Sequence, residues 1–440
     1  MVEQLVYTEW VGGSSPSSRT IFDQELSLPP TPRAVSKAPV KVASFRIRPQ
    51  SALTLVVAAL AMVATLPGRT VGLGLITEEI LVDLELNRSS YAGLNLVATF
   101  LGALFLFGAG PALDRHMRLT TFSVLAALSG AVFWMANLPG PTLLLLLLIL
   151  SRGLGQSCLS LCSVGIVAKT FQQNLGKAMG VFAVITALLF VAAIPAVGSF
   201  ATQLGWRKTW MILSAAILGI GILVAVFIRN PQTAKNHPDD PTSSAGMRLG
   251  EALRSPLLWV LTIGIGIFYF AFTGITLFSE SLLVSLEFDT SIRDGILAMI
   301  MGFGLVGNLT CGWLVQRTPV MKVFGIAMLL VSGCLFGFPL TNGSVFLIFV
   351  FSAALGIGSG AVTVVFFAGF ADLFGKKHLG KIQGAAQAMT VAASAIGPVF
   401  FAWSFETSGS YSAVFFVLAP LALMMGLFSF LSQGGRPSGE

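Results

Sequence analysis

Long apolar segments alternate with short polar ones along most of this chain. After residue 50 the apolar runs have about 20 residues or more, enough for a helix to cross a hydrocarbon core of ~30 Å. Because lipid cannot satisfy exposed backbone groups, each run is predicted to be a helix. Twelve such runs lie at about 51–79, 90–110, 119–138, 142–168, 177–199, 209–229, 255–279, 293–315, 320–341, 345–371, 382–403 and 411–431. The pattern predicts an all-α membrane protein with twelve transmembrane helices.

The second half of the chain repeats features of the first at an offset of about 203 residues. The pattern Leu-Gly-Lys-x-x-Gly occurs at 175–180 and again at 379–384, and Pro195 corresponds to Pro398. A fixed offset of nearly half the chain indicates an internal duplication. In a membrane protein this predicts two six-helix bundles that pack around a shared site near the bilayer midplane.

Polar segments mark the predicted domain boundaries. Residues 1–50 are polar and rich in Pro and Ser, and we predict a disordered cytoplasmic tail there. The predicted N-terminal bundle covers 51–229, a cytoplasmic linker covers 230–254, the C-terminal bundle covers 255–431, and 432–440 form a second cytoplasmic tail.

Composition and charge agree with a membrane protein. Hydrophobic residues make up 55% of the chain and charged residues 10%, against about 25% charged in soluble domains. Most Lys and Arg fall in the loops on the side of both termini, so both termini are predicted to be cytoplasmic. This asymmetry accounts for the net charge of +7, which therefore does not indicate a nucleic-acid partner. We expect a multi-pass, monomeric protein of the plasma or inner membrane.

The residue types that carry most enzyme chemistry are sparse. His116, His237 and His378 are isolated from one another in predicted loops. Cys158 and Cys162 share a helix face inside a span, where small packing residues are favoured over a soft-metal pair. We predict no enzymatic activity, no metal site and no cofactor.

Two Arg residues fall inside predicted spans. Arg152 lies about 10 residues from the outer end of its span, roughly 15 Å deep, where an Arg costs roughly 2.5–3.5 kcal/mol to insert. Gln156 lies one turn further along. Arg152 is either a structural residue of the bundle core or a residue that couples to substrate or proton. Arg69 follows Pro67-Gly68, which should break the first span, and it either lines a site or extends to the outer interface.

Uncharged polar residues within other spans are weaker candidates. Each is either an interhelical hydrogen-bonding residue or a ligand contact. They are Asn95, Thr99, Tyr269, Asn308 and Gln387. Because Arg69 and Arg152 have no evident carboxylate partner at their depth, a central cavity would carry positive potential and favour an anion.

Two motifs resemble those of a known transporter family. Gly110-x-x-x-Asp114-Arg115-x-x-Arg118, between the second and third spans, is similar to the signature loop of the major facilitator superfamily, and Arg152 with Gly155 is similar to its second motif. Together with the topology, the resemblance covers about 51–431. The segments 67–72, 205–207 and 378–381 resemble the monocarboxylate and oxalate/formate-type branch.

The resemblance implies a gate at the signature loop. A carboxylate that faces a helix N-terminus gains ~0.3–1 kcal/mol, and such a contact can be made in one conformation and broken in the other. The expected gating residues are Gly110, Asp114, Arg115 and Arg118, with Arg317 in the second half, where Gln316 replaces the Asp. The alternative is that these basic residues only anchor the loop at the inner surface.

These observations predict a secondary active transporter of a small organic anion, such as a monocarboxylate, driven by proton coupling or exchange. Efflux of apolar or cationic drugs against protons is the alternative within transport. A membrane receptor or sensor built on a transporter scaffold is the alternative of another class.

Overall fold

The computed structural model describes residues 49–138, 140–171, 175–228, 247–375 and 379–432, which are almost entirely helical. These residues belong to one compact unit, Ile47–Glu440. The predicted N-terminal tail, most of the predicted linker and nearly all of the predicted C-terminal tail lie outside the described residues.

In the first half, short helices interrupt the first and fourth predicted spans. The helices of this half are α1 (Pro49–Val63), α2 (Thr70–Gly74), α3 (Thr77–Asp83), α4 (Arg88–Ala103), α5 (Phe105–Ala136), α6 (Leu144–Leu150), α7 (Ser160–Thr170), α8 (Leu175–Leu204) and α9 (Trp206–Phe227). A 3₁₀ turn at Leu66–Gly68 separates α1 from α2, and a π-helical segment at Ser151–Leu159 joins α6 to α7. The predicted break at Pro67-Gly68 is present.

The second half begins with α10, which occupies the end of the predicted linker. The helices are α10 (Leu249–Arg254), α11 (Pro256–Leu277), α12 (Ser279–Ser285), α13 (Arg293–Leu314), α14 (Val320–Gly337), α15 (Val345–Val364), α16 (Phe370–Phe374), α17 (Leu379–Ser408) and α18 (Ser412–Leu431). A second π-helical segment, Val365–Gly369, joins α15 to α16.

Ten helices within the described residues are long and apolar enough to cross a bilayer, and Ala52–Gly68 is a shorter apolar helix at the first predicted span. The second predicted span consists of α4 and the first arm of α5, which is the part before His116; the part after His116 is the second arm. The chain leaves the helical conformation at His116 (φ −141°, ψ 64°), and residues from both arms of α5 line one groove. The two arms therefore lie side by side as separate spans, and the twelve-helix prediction is confirmed.

The two halves pack their helices in the same way. The first span contacts the fifth through α1 and α8, as the seventh contacts the eleventh through α11 and α17. The third span contacts the sixth through α5 and α9, as the ninth contacts the twelfth through α14 and α18. Likewise, the contact between α4 and α6 in the first half corresponds to the contact between α13 and α15 in the second half. The two six-helix bundles are thus related by duplication in structure as well as in sequence.

Between the halves, α4 packs on α17 and α8 packs on α13, with α2 against α11. These pairs are also equivalent under the duplication, since they join the second span to the eleventh and the fifth to the eighth. The helices at this interface carry the predicted substrate residues toward one central position.

The orientation predicted from Lys and Arg can be tested by labelling. Val345, at the predicted outer surface, is 49% exposed, so Val345→Cys is expected to react with an impermeant thiol reagent added outside intact cells. Asp239→Cys, in the predicted linker, should react only after permeabilisation. The native cysteines Cys158, Cys162, Cys311 and Cys334 are buried, so the background should be low. Labelling of Asp239→Cys from outside, with Val345→Cys protected, would reverse the orientation.

Candidate functional site

A cavity of about 380 Å³ lies between the two halves. Its walls come from α2, α4, the first π-helical segment and α8 on one side, and from α11, α13, α15 and α17 on the other. The predicted substrate residues that line it are Arg69, Asn95, Thr99, Arg152, Gln156, Tyr269 and Gln387. Asn308 does not: it is half-buried in α13, where its backbone nitrogen lies close to Gly360 of α15.

Arg152 is the most buried charge in this cavity, with 4% of its surface exposed. Its Nη1 donates to Thr70 Oγ1 at 2.9 Å and to Gln156 Oε1 at 3.0 Å, and its Nη2 donates to Asn95 Oδ1 at 2.8 Å. Asn95 is itself held by a bond from Nδ2 to the Tyr91 carbonyl oxygen. The guanidinium is therefore fixed by three spans through neutral acceptors only.

Two of the five N–H donors of Arg152 are left over, the Nε–H and one N–H of Nη2. Its Nε is buried and has no hydrogen-bond partner among the described residues. The Nε–H and Nη2 share one edge of the planar guanidinium, the edge that a carboxylate can bind with two parallel bonds. The arrangement holds Arg152 in place and leaves these two donors without a protein partner among the described residues.

The helix that carries Arg152 is π-helical over Ser151–Leu159. A π-helical turn contains more residues than an α-helical turn, and such turns occur often at functional sites. A Cβ added at Gly155 would lie 3.2 Å from the Cα of Gly68, so the first and fourth spans pack closely through these two glycines. This close approach brings Arg69, the residue after Gly68, to the same cavity as Arg152.

Arg69 lies at the end of the 3₁₀ turn and is half-buried. Its Nε donates to Thr65 Oγ1 at 2.6 Å, and its Nη2 donates to Ser160 Oγ at 3.2 Å. The guanidinium also lies 5.4 Å from the centre of the Phe190 ring. Arg69 therefore faces the cavity, and neither Arg69 nor Arg152 forms an ion pair in the part of the chain that the structure describes.

The opposite wall is aromatic and weakly polar. Tyr269 and Phe272 of α11 line it, with Gln387 of α17. The hydroxyls of Thr273 and Thr363 donate to backbone carbonyls of their own helices at 2.8 and 2.9 Å. Because these hydroxyl protons are already used, this wall is less able to donate hydrogen bonds than the arginine wall.

Contacts between the halves close the cavity at its predicted outer end. Ser89 of α4 bonds to Glu406 of α17 through its backbone nitrogen (2.8 Å) and through its hydroxyl. Arg88 pairs with Glu78 at 2.6 Å and lies 4.6 Å from the centre of the Phe405 ring. Gly198 of α8 packs directly on the carboxylate of Asp294.

A buried ionic cluster adjoins this closure. Arg293 is 4% exposed and pairs with Glu280 and with Asp294 within the second half. Glu79, from the first half, interacts electrostatically with all three. The sequence did not indicate that these charges meet across the two halves.

The sequence profile of the Major Facilitator Superfamily matches residues 53–342 and 295–439. The chain belongs to this superfamily. Among curated proteins, the monocarboxylate transporter 12-B of Danio rerio is 30% identical over 118 residues, which are 26% of this chain and 24% of that protein. This match thus spans about a quarter of the relative's length.

Solved structures of the superfamily share the fold. A bacterial homologue of the human lysosomal transporter Spinster, in an inward-facing and unoccupied conformation, has a TM-score of 0.66 at 16% identity, covering 89% of this chain and 100% of that one. The nucleoside transporter NupG has a TM-score of 0.66 at 13% identity. This match covers 87% of this chain and 100% of the NupG chain.

The superfamily signature loop lies where α5 turns at His116. Gly110 has open space around it, and Arg115 and Arg118 are exposed. In the second half, the guanidinium of Arg317 stacks 4.0 Å from the centre of the Trp313 ring, and Gln316 donates to the Gly312 carbonyl of its own helix. The Asp114 side chain lies outside the described part of the structure.

A gating role for the loop predicts a rate effect without a folding effect. Asp114→Asn is expected to slow transport while the protein stays folded and inserted, because the change removes a charge contact that depends on conformation. Gln316→Asn is the matched control in the second half and should be much milder. Initial rates in proteoliposomes measure both, and an unchanged rate in Asp114→Asn would exclude the gate.

Several residues of the site were not predicted. Thr70 bonds to Arg152, Ser160 bonds to Arg69, and Phe190 stacks near Arg69. Thr70 directly follows Arg69, and Ser160 lies one turn after Gln156 on the same polar helix face. Both could therefore have been proposed as site residues from the sequence. Phe190 had none, since it is one apolar residue among many in its span.

Proposed function

We propose that this chain is a secondary active transporter of small organic anions, with monocarboxylates as the substrate class. The observation that carries the proposal is the pair of guanidiniums in the central cavity. The cavity lining, as described, includes Arg69 and Arg152 and contains no Asp, Glu or His. An unbalanced positive charge in a partly closed cavity attracts anions and repels cations.

Arg152 is the proposed anchor for the carboxylate. Its hydrogen bonds to Thr70, Asn95 and Gln156 hold the guanidinium plane, and its Nε–H is left for a substrate oxygen. Charge-assisted pairs of this kind are short and directional. Tyr269, Phe272 and Gln387 would face the remainder of the substrate.

The relative from Danio rerio, named as a monocarboxylate transporter, supports the same substrate class. Efflux of a cationic drug fits the cavity less well, because a cation there would meet two arginines and no described carboxylate. A receptor or sensor role differs from transport in that it requires no net movement of the ligand. We propose that the coupling is by protons or by exchange.

Movement would follow from alternating access. The contacts of Ser89, Arg88 and Gly198 hold the halves together at the predicted outer end, so the central site would open to the cytoplasm in this conformation. Rocking of the halves about the cavity would break these contacts and open the other side. We further propose a monomer in the plasma or inner membrane, with both termini cytoplasmic.

A ligand screen on the purified protein tests the substrate class. Thermal unfolding in detergent should shift upward with one or more short monocarboxylates and stay unchanged with organic cations and neutral sugars, because a ligand that binds only the folded state stabilises it. Matched amides of the same acids are the control for the carboxylate. Stabilisation by cations and by no carboxylate would move the drug-efflux alternative ahead.

A further inference from the structure

A groove that shares no lining residue with the central cavity lies on the first half of the protein. Its volume is about 620 Å³, and its walls come from the two arms of α5 and from the first π-helical segment. The apolar part includes Phe105, Ala109, Leu119, Val124 and Leu154. Arg115 and His116, at the turn of α5, form one end.

The groove has the length of one leaflet. Phe105 precedes Arg115 by ten residues on one helical arm, so the groove runs about 15 Å from its basic end to its apolar end. Half the thickness of the hydrocarbon core is also roughly 15 Å. In the predicted orientation, the basic end would lie at the cytoplasmic surface and the apolar end would reach about the depth of the bilayer midplane.

The groove is separate from the central cavity. Leu119 is 61% exposed, and none of the groove residues lines the central cavity. The two arms are joined by a bond from the Thr120 hydroxyl to the Ala112 carbonyl oxygen at 2.9 Å. This bond links the two arms that line the groove near its basic end.

The charge at the open end is predominantly basic. Arg115 and His116 line the groove and are exposed, and Arg118 lies one turn further along. Lys169 of α7 is anchored on the same arm by a bond from Nζ to the Leu113 carbonyl oxygen at 2.9 Å. Asp114 is the one acidic residue of the loop. Basic clusters at the inner membrane surface attract anionic headgroups.

We propose that this groove binds one acyl chain of an anionic phospholipid from the inner leaflet, with the headgroup phosphate at Arg115 and His116. The apolar walls fit the chain, and the basic end fits the phosphate. Apolar walls that face the bilayer would contact hydrocarbon more favourably than water. The proposal is independent of what the central cavity carries.

Photolabelling of the wild-type protein tests the site without any substitution. The full chain is placed in phosphatidylcholine nanodiscs with a small fraction of phosphatidylglycerol that carries a diazirine on its acyl chain, then illuminated and mapped by mass spectrometry. Adducts are expected on both arms of α5 and near Leu154. Unlabelled phosphatidylglycerol should compete with labelling, and phosphatidylcholine should not. Adducts spread evenly over lipid-facing residues such as Leu146 and Leu218, or equal competition by phosphatidylcholine, would overturn the proposal.

Matched variants separate the chain from the headgroup. Leu119→Trp should fill the groove and remove most adducts from α5, whereas Leu146→Trp, at a residue 52% exposed on α6, should not. Arg115→Gln should lower the advantage of phosphatidylglycerol over phosphatidylcholine by about fivefold, while Arg254→Gln at another exposed site should leave it unchanged. Full labelling of Leu119→Trp would show that the groove is not the site, and an undiminished advantage in Arg115→Gln would exclude the proposed headgroup contact.

Discussion

Arg152→Gln is expected to weaken the binding of the anionic substrate strongly while leaving the protein folded. A charge-assisted hydrogen bond contributes roughly 1.5–3 kcal/mol, so the dissociation constant should rise by about tenfold to more than a hundredfold. The substitution also removes the planar fork that Thr70, Asn95 and Gln156 hold in place. Binding to the purified variant, by calorimetry or by thermal shift, measures the effect.

Related substitutions divide this effect into charge and geometry. Arg152→Lys keeps the charge but loses the fork, so it should weaken binding less than Arg152→Gln does. Arg69→Gln should also give a smaller loss, because Arg69 is half-buried and partly satisfied by Thr65 and Ser160. Expression and monodispersity in detergent distinguish lost binding from lost folding. If Arg152→Gln is well folded and binds the anion as tightly as the parent, Arg152 is a structural residue.

Gly68→Ala is expected to cause a large loss of stability although it adds only one methyl group near the site. A Cβ at position 68 would overlap the backbone carbonyl of Ser151, at the start of the π-helical segment. A backbone atom cannot rotate away as a side chain can, so the first and fourth spans would have to separate. Overpacking typically costs 1–3 kcal/mol, and the displacement would also move Arg69 and Arg152 apart.

The yield of monodisperse protein and its unfolding temperature measure this loss. Gly93→Ala is the control, because a Cβ at position 93 of α4 would meet nothing within 4 Å. We expect Gly93→Ala to match the parent or to be slightly more stable, since Ala favours a helix over Gly. Parental stability in both variants would mean that the close approach at Gly68 is not required.

The sequence was sufficient to predict the architecture because its signals are long and repeated. Apolar runs of membrane length specify helices, and the offset of the Leu-Gly-Lys patterns specifies the duplication, which the equivalent helix pairs confirm. Most of the cavity could also be anticipated, since a polar or charged residue deep in a span needs a cavity or a partner. Arg69, Arg152 and Asn95 were found in this way.

The details of the site depend on contacts between distant residues, which single-sequence patterns do not show. Asn308 has the same kind of position as Asn95, in the second span of its half, yet it packs at the α13–α15 contact and does not line the cavity. The π-helical segment Ser151–Leu159 packs on the first span through Gly155 and Gly68, two residues far apart in the chain. The outer closure likewise depends on pairs such as Ser89 and Glu406, which are 317 residues apart in the chain.

Counterflow in proteoliposomes tests the central proposal most directly, because it requires both binding and movement of the anion. Vesicles loaded with an unlabelled monocarboxylate from the thermal-shift screen should accumulate the labelled acid from outside, and vesicles with Arg152→Gln should not. A receptor would bind the acid without counterflow. Counterflow of cations or neutral compounds, with no counterflow of any monocarboxylate in the wild-type protein, would contradict the proposal that this cavity carries organic anions.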